Sequence, residues 1–303
     1  MKILFLSQGA GIDYQCDMVF HGLKTLYGAE VVDANRLWYL YNDITPEQKA
    51  AQYGKGFTIA GLLEEGDVDR TDILNKITSK FYDLIVYGSI QRNADLLYEV
   101  INAYPREQVV FIDGEDVPMF LREMPKRGLY FKRELHSPQE DVFPINFAIP
   151  EEKIVGMLPK EKMVSHIDPM NPATYIYDRE EDYYRDYQTS LFGRTMKKAG
   201  WDCLRHYEII ACGCMPYFEN LEHCPPTIMT ELPKNELIIA KNIVDYHTKG
   251  GGIDIFGMEA GKELWVNLMN RCMDTLRTKL TTTALAKKVV ETSVSRMKEL
   301  VCA

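Results

Sequence analysis

The chain has 303 residues, of which 46% are hydrophobic and 26% charged, and a formal net charge of -9. That length suits two domains of about 150 residues, each able to bury its own core. The composition excludes a disordered or fibrous chain, and the negative balance disfavours nucleic-acid binding by bulk electrostatics, although a local basic stripe would escape that argument.

In chain order, the apolar run from Ile3 to Leu6 reads as a strand buried on both faces of a parallel sheet, and it is too short for a signal peptide. The loop from Gln8 to Asp13 carries Gly9 and Gly11 and leads into an amphipathic helix from Tyr14 to Tyr27. Its two glycines open like a dinucleotide fingerprint, but the third glycine is missing, which disfavours a Rossmann oxidoreductase. A second strand is expected from Ala29 to Ala34, then an irregular aromatic segment at Trp38 to Tyr41, with no clear periodicity from Pro46 to Asp72. Lys80 to Ser89 supplies a helix end and a third strand, Asp95 to Ala103 a helix, and Val109 to Asp116 a fourth strand ending in acids. Apolar strands alternating with helical stretches predict an α/β fold with parallel sheets, whose ligands sit beyond the carboxyl ends of the strands.

Asp113, Glu115 and Asp116 follow directly on such a strand. They are candidates for a base or metal ligand, or equally for turn and helix-cap chemistry. The next strand, from Gly128, ends in Lys132, Arg133 and His136. Arg133 can bind a phosphate or a sugar carboxylate, or simply pair with Glu134 or Asp141. Two prolines between Phe143 and Pro150 place a crossing between domains near residue 150.

In the second half, a strand is expected at Met163 to Ile167, a polar helix at Arg179 to Gln188 and a short strand at Ser190 to Gly193. Arg194, Lys197 and Lys198 then precede a helix that starts near Asp202 and stops at Gly213. Asp202 is suited to cap it, and Arg205 and Glu208 share its face one turn on. Either these cations neutralise a diphosphate or they form a solvated basic face. Leu237 to Ala240 is a core segment, Gly250 to Gly252 a flexible break, and helices are expected over 259–279 and 284–300. The seven cysteines are an odd, scattered set; Cys212 and Cys214 lack zinc-knuckle spacing and read as buried small hydrophobes. With no apolar run near the ~20 residues of a membrane span, the expectation is a cytoplasmic protein with free thiols.

The segment Arg205-His206-Tyr207-Glu208, continuing through Ala211-Cys212-Gly213-Cys214 to Pro216, resembles the donor site of GT-B glycosyltransferases, nearest to their exostosin-like and spore-maturation-protein-like relatives. The resemblance is sharpest over Ser190 to Phe218. It implies two facing Rossmann-like domains with a cleft between them: residues 1–150 on the acceptor side, 151–282 on the nucleotide-sugar side, and 283–303 a final helix packing back on the first domain. It also implies that Glu208 holds ribose hydroxyls, with Arg194, Lys198, Asp202, Arg205 and His206 around the donor. Gly9, Gly11 and Arg133 would then face the cleft, and Asp13, Asp113 and Asp116 would be the catalytic candidates, with Asp17 and His21 as further candidate bases.

One departure stands out. Many retaining members carry a glutamate eight residues before the ribose-binding one, and that position here is Gly200. The expected activity is sugar transfer from a nucleotide sugar to an acceptor, without cofactor or metal. The alternative is a noncatalytic nucleotide- or carbohydrate-binding protein on the same fold.

Overall fold

The computed structural model describes residues 1–249 and 257–302, so the expected break at Gly250 to Gly252 lies outside the described residues. The first half contains β1 (Ile3–Leu6), α1 (Tyr14–Tyr27), β2 (Val31–Asp33), α2 (Pro46–Ala50), α3 (Ile73–Thr78), β3 (Leu84–Tyr87), α4 (Leu97–Ala103), β4 (Val109–Asp113), β5 (Leu129–Lys132) and β6 (Val142–Pro144). Its six strands form one sheet in the order β2-β1-β3-β4-β5-β6, and every pair is parallel. The expected α/β class is therefore found. β1, β3, β4 and β5 are buried along their whole length, which is why they read as continuous apolar runs and not as alternating ones.

The second half contains β7 (Lys162–Val164), α5 (Glu180–Gln188), β8 (Ser190–Thr195), α6 (Leu204–Ala211), β9 (Met215–Phe218), α7 (Lys234–Lys249), α8 (Glu259–Lys279) and α9 (Thr282–Cys302). A smaller parallel sheet, β7-β8-β9, carries it. The core segment Leu237 to Ala240 is part of α7, where Leu237 and Ala240 are buried and Ile239 is exposed. Among the described residues no helix is long and apolar enough to cross a membrane.

The largest apolar cluster runs from β1 and α1 through to α6, β9, α8 and α9, so the two sheets share buried contacts. α9 lies directly on α1. A Cβ added at Gly22 would stand 1.9 Å from the Thr282 carbonyl oxygen, and His21 Nδ1 is 2.9 Å from Thr282 Oγ1. That contact is possible only because position 22 has no side chain.

Two local readings change and a third holds. The aperiodic stretch after Pro46 is ordered: Thr45 and Gln48 form a capping box on α2, and Gly54, Lys55, Gly56 and Thr58 then all adopt positive φ. Asp202 does not cap α6, whose boundary residue is Cys203 and which has no side-chain cap. The Asp202 carboxylate instead accepts from the Phe147 amide at 2.8 Å and the Tyr207 hydroxyl at 3.0 Å. Gly213 does end the helix, at φ 62°, with its amide on the Ile210 carbonyl.

Candidate active site

A cavity of about 930 Å³ opens between the two sheets. From the first half it is lined by the start of α1 (Asp13, Tyr14, Gln15), the loop Gln52 to Phe57, Arg92, the β4 turn (Gly114, Asp116), Arg133 and Phe147. From the second half come Tyr175, Tyr177 and Tyr183, and the run from Lys198 into α6, including Asp202, Arg205 and Glu208. Its position past β4 and β8 is where an open parallel sheet places ligands.

Glu208 sits on the second turn of α6 and is 6% exposed, so it is not on a solvated helix face. It makes no ion pair with Arg205. Instead the Tyr183 hydroxyl donates to Oε2 at 2.7 Å and the Thr58 hydroxyl donates to Oε1. Burial pushes its carboxyl up from the ordinary value, partly offset by these two donors. A carboxylate has about four acceptor positions, so two donors leave room for two more.

Arg205, one turn earlier, donates through Nη2 to the Tyr175 hydroxyl at 2.7 Å, while Nε and Nη1 are buried with no partner. An unpartnered guanidinium is costly, since buried polar groups are almost always hydrogen-bonded, and a cation more so. It is the donor set that an anion would satisfy. Lys198 lies beside it, with Nζ 5.8 Å from the centre of the Tyr175 ring. The remaining wall is aromatic: Tyr14 packs edge-on against Tyr53 and Tyr177 edge-on against Tyr183, while Phe57 meets Tyr183 at a tilt of 37°.

Arg133 is in the cavity wall but is fully committed. Nε and Nη2 donate to the Gly114 carbonyl at 3.1 and 2.6 Å, Nη1 to the Asp202 carbonyl at 2.6 Å and Glu134 Oε1 at 3.3 Å, and Nη2 also to Asp116. With its five N–H groups spent and its plane 4.5 Å above the Phe147 ring centre, it ties the β4 turn to the α6 turn. It has no donor left for a phosphate. Asp13 caps α1 and pairs with Arg92 at 3.1 Å, which also holds Glu115 at 2.6 Å.

Other expected site residues lie elsewhere. Asp113 is fully buried outside the cavity, accepting from Lys132 Nζ (2.8 Å), the Tyr130 hydroxyl (2.5 Å), Gln91 (3.0 Å) and the Glu115 amide (3.1 Å). Its place at the end of β4 was the signal, but its side chain turns back into the sheet. Arg194 alternates to the outer side of β8 and pairs with Asp168 at 2.5 Å, half exposed. His206 is buried against Phe218, with Nε2 donating to the Trp201 carbonyl (2.9 Å) and Nδ1 accepting from Thr195 Oγ1 (2.8 Å); burial lowers it to about 4. Gly9 and Gly11 shape the preceding loop with positive φ and are not cavity walls. Asp17 is likewise buried, bound to the Tyr39 hydroxyl at 2.8 Å, and His21 faces Thr282 and Glu152.

Gly200 has a spatial reason. A Cβ there would meet Glu134 Oε1 at 2.6 Å and Asp116 Oδ1 at 2.9 Å, so carboxylates from the first half already fill the space of a side chain. Cys212 and Cys214 are buried in a small apolar cluster with Ile209 and Tyr187, as expected of structural thiols. The residues that sequence reading missed are Thr58, Arg92 and the tyrosines; five tyrosines between 175 and 187 were the available signal. Comparison of the chain with models of protein families and with curated proteins finds no match in either.

Proposed function

We propose that this chain is a glycosyltransferase that moves a sugar from a nucleotide sugar to an acceptor, its two sheets acting as facing Rossmann-like units of the GT-B kind. The observation that carries the reading is the pairing on α6: a buried carboxylate held only by hydroxyls, one turn from a guanidinium with unpartnered N–H groups. A nucleoside diphosphate supplies both complements. Its ribose hydroxyls donate to the open acceptor positions of Glu208, and its phosphates accept from Arg205, with Lys198 adding charge. The tyrosines offer flat faces to the base and sugar.

In this reading negative charge gathers on the departing diphosphate as the glycosidic bond breaks, so Arg205 stabilises the transition state more than the bound donor. Asp13 and Asp116 face the acceptor side and are the candidate bases. Both carboxylates are already paired to an arginine, and that engagement favours a second reading, a binding protein without transfer activity. Incubation with donor sugars alone separates the two: slow donor hydrolysis supports the transferase, and tight binding with no turnover supports the binder.

The site itself is tested by a thermal-shift screen with uridine, guanosine, cytidine and thymidine diphosphates and their sugars. A ligand at ~100 times its dissociation constant should stabilise the fold by roughly 2.7 kcal/mol. No shift with any of them would overturn the reading.

A further inference from the structure

The strongest backbone anomaly near the cavity is Thr58. It is fully buried and sits at φ 74°, a left-handed conformation that β-branched residues rarely adopt. Its amide donates to Glu180 Oε1 at 2.6 Å, and Glu180 is itself held by Lys153 at 2.7 Å and Lys49 at 3.3 Å. The next contact fixes the direction of the hydroxyl. Because a carboxylate only accepts, Thr58 Oγ1 must donate to Glu208 and therefore accepts from the Tyr184 hydroxyl, 2.9 Å away.

We propose that Thr58 is a positioning residue for Glu208: a hydroxyl from the first half of the chain that holds the second half's carboxylate in its ligand-accepting orientation. The proposal rests on the reading of Glu208 as a hydroxyl-binding carboxylate. A strained backbone persists only where its surroundings over-determine it, and such outliers cluster at ligand clamps. Here the strain places one hydroxyl on one oxygen while Tyr183 takes the other. The carboxylate can no longer rotate freely, and its remaining acceptor positions are set for a pair of ligand hydroxyls. The contact also joins the two halves at the cavity, so ligand contacts on α6 and the position of the loop before Thr58 are coupled.

Three variants of the full chain test this. Thr58→Val removes the hydroxyl and keeps the shape; Thr58→Ser keeps the hydroxyl; Thr58→Gly removes the hydroxyl and relieves the positive φ. The first readout is the titration of the Glu208 carboxyl carbon by ¹³C NMR, which needs no ligand. The charged or titratable groups around it are Tyr14 on α1, Glu180, Tyr183, Tyr184 and Tyr187 on α5, Arg205 on α6, and Cys203 and Cys212 at the two ends of α6, and all are unchanged in these variants.

Losing a donor to the ionised form should move the Glu208 titration upward in Thr58→Val and Thr58→Gly and leave it in place in Thr58→Ser. The second readout is affinity for uridine and guanosine diphosphates by calorimetry, expected to weaken roughly ten-fold in Val and Gly and to stay near parental in Ser. Thr58→Val keeps the buried volume and Thr58→Ser keeps the hydroxyl, so an effect present in Val and absent in Ser reports the hydroxyl and not the packing of the side chain. An unmoved Glu208 titration in Val and Gly, or a Ser variant as damaged as Val, overturns the proposal. If the parent binds none of these nucleotides the functional reading falls, and the carboxyl titration still decides the role of Thr58.

Discussion

The turn after β4 and the turn into α6 both follow a parallel strand, and both are rich in charge, yet they treat it in opposite ways. After β4, Asp113 is saturated by Lys132, Tyr130, Gln91 and a backbone amide, and Arg133 spends every donor on carbonyls and carboxylates. On α6, Glu208 is met by two hydroxyls and no cation, while Arg205 keeps two nitrogens unpartnered. Position beyond a strand end therefore does not by itself distinguish a ligand site from scaffolding. The degree to which the charges are satisfied by the protein is the better guide, because an unsatisfied buried charge costs stability that a ligand in the cavity can return.

The comparison breaks first at Asp113. Asp113→Ala leaves Lys132 buried with no counter-charge, and the unfolding free energy from denaturant titration should drop by about 3–5 kcal/mol. A variant as stable as the parent would mean that the β4 pair is not structural. On the other side, Arg205→Ala removes an unpaired cation and should leave the unfolding midpoint nearly unchanged, while kcat for the proposed sugar transfer falls by ~10²-fold or more. A stability loss with unchanged kcat would reverse the roles assigned to the two turns.

How much of this was legible follows the same division. Continuous apolar runs announced β1, β3, β4 and β5, and the helix Tyr14–Tyr27 was readable from its amphipathic spacing, because burial pattern is a local property of sequence. The Arg205 and Glu208 pair was visible as a motif. What could not be read was partnership at a distance. Nothing near residue 113 announces Lys132 and Tyr130, and nothing near residue 58 announces Glu208, 150 positions away. Arg194 and Lys198 were grouped together in the sequence; strand alternation turned Arg194 outward to Asp168, while Lys198, past the end of β8, lies at the cavity.

His206 sharpens the boundary of the site. Held neutral between a carbonyl and a threonine hydroxyl, it has a folded value near 4, below its ordinary 6.5. The sign is that of a depressed base: its contribution to stability is complete above pH 6.5 and declines as the pH falls towards 4. The ring C–H resonance of His206 should show no titration above about pH 5. Titration near neutrality, or a response to added nucleotide diphosphate, would place His206 in the cavity after all.

The smallest effect is expected at Arg194. Its exposed pair with Asp168 lies off the cavity, so Arg194→Ala should leave both stability and transfer within about two-fold, an effect below ~0.5 kcal/mol. A hundred-fold loss would show that the proposed phosphate site extends to β8.

The central claim is that Glu208 is kept uncompensated in order to receive ligand hydroxyls, and calorimetry with uridine or guanosine diphosphate and the matching 2′-deoxy compound tests it most directly. The parent should prefer the ribonucleotide, and Glu208→Gln, which keeps the size and removes the charge, should lose about 1.5–3 kcal/mol of that affinity and most of the preference without loss of fold stability. Equal binding of the ribo and deoxy forms by the parent, or unchanged binding by the glutamine variant, would contradict it.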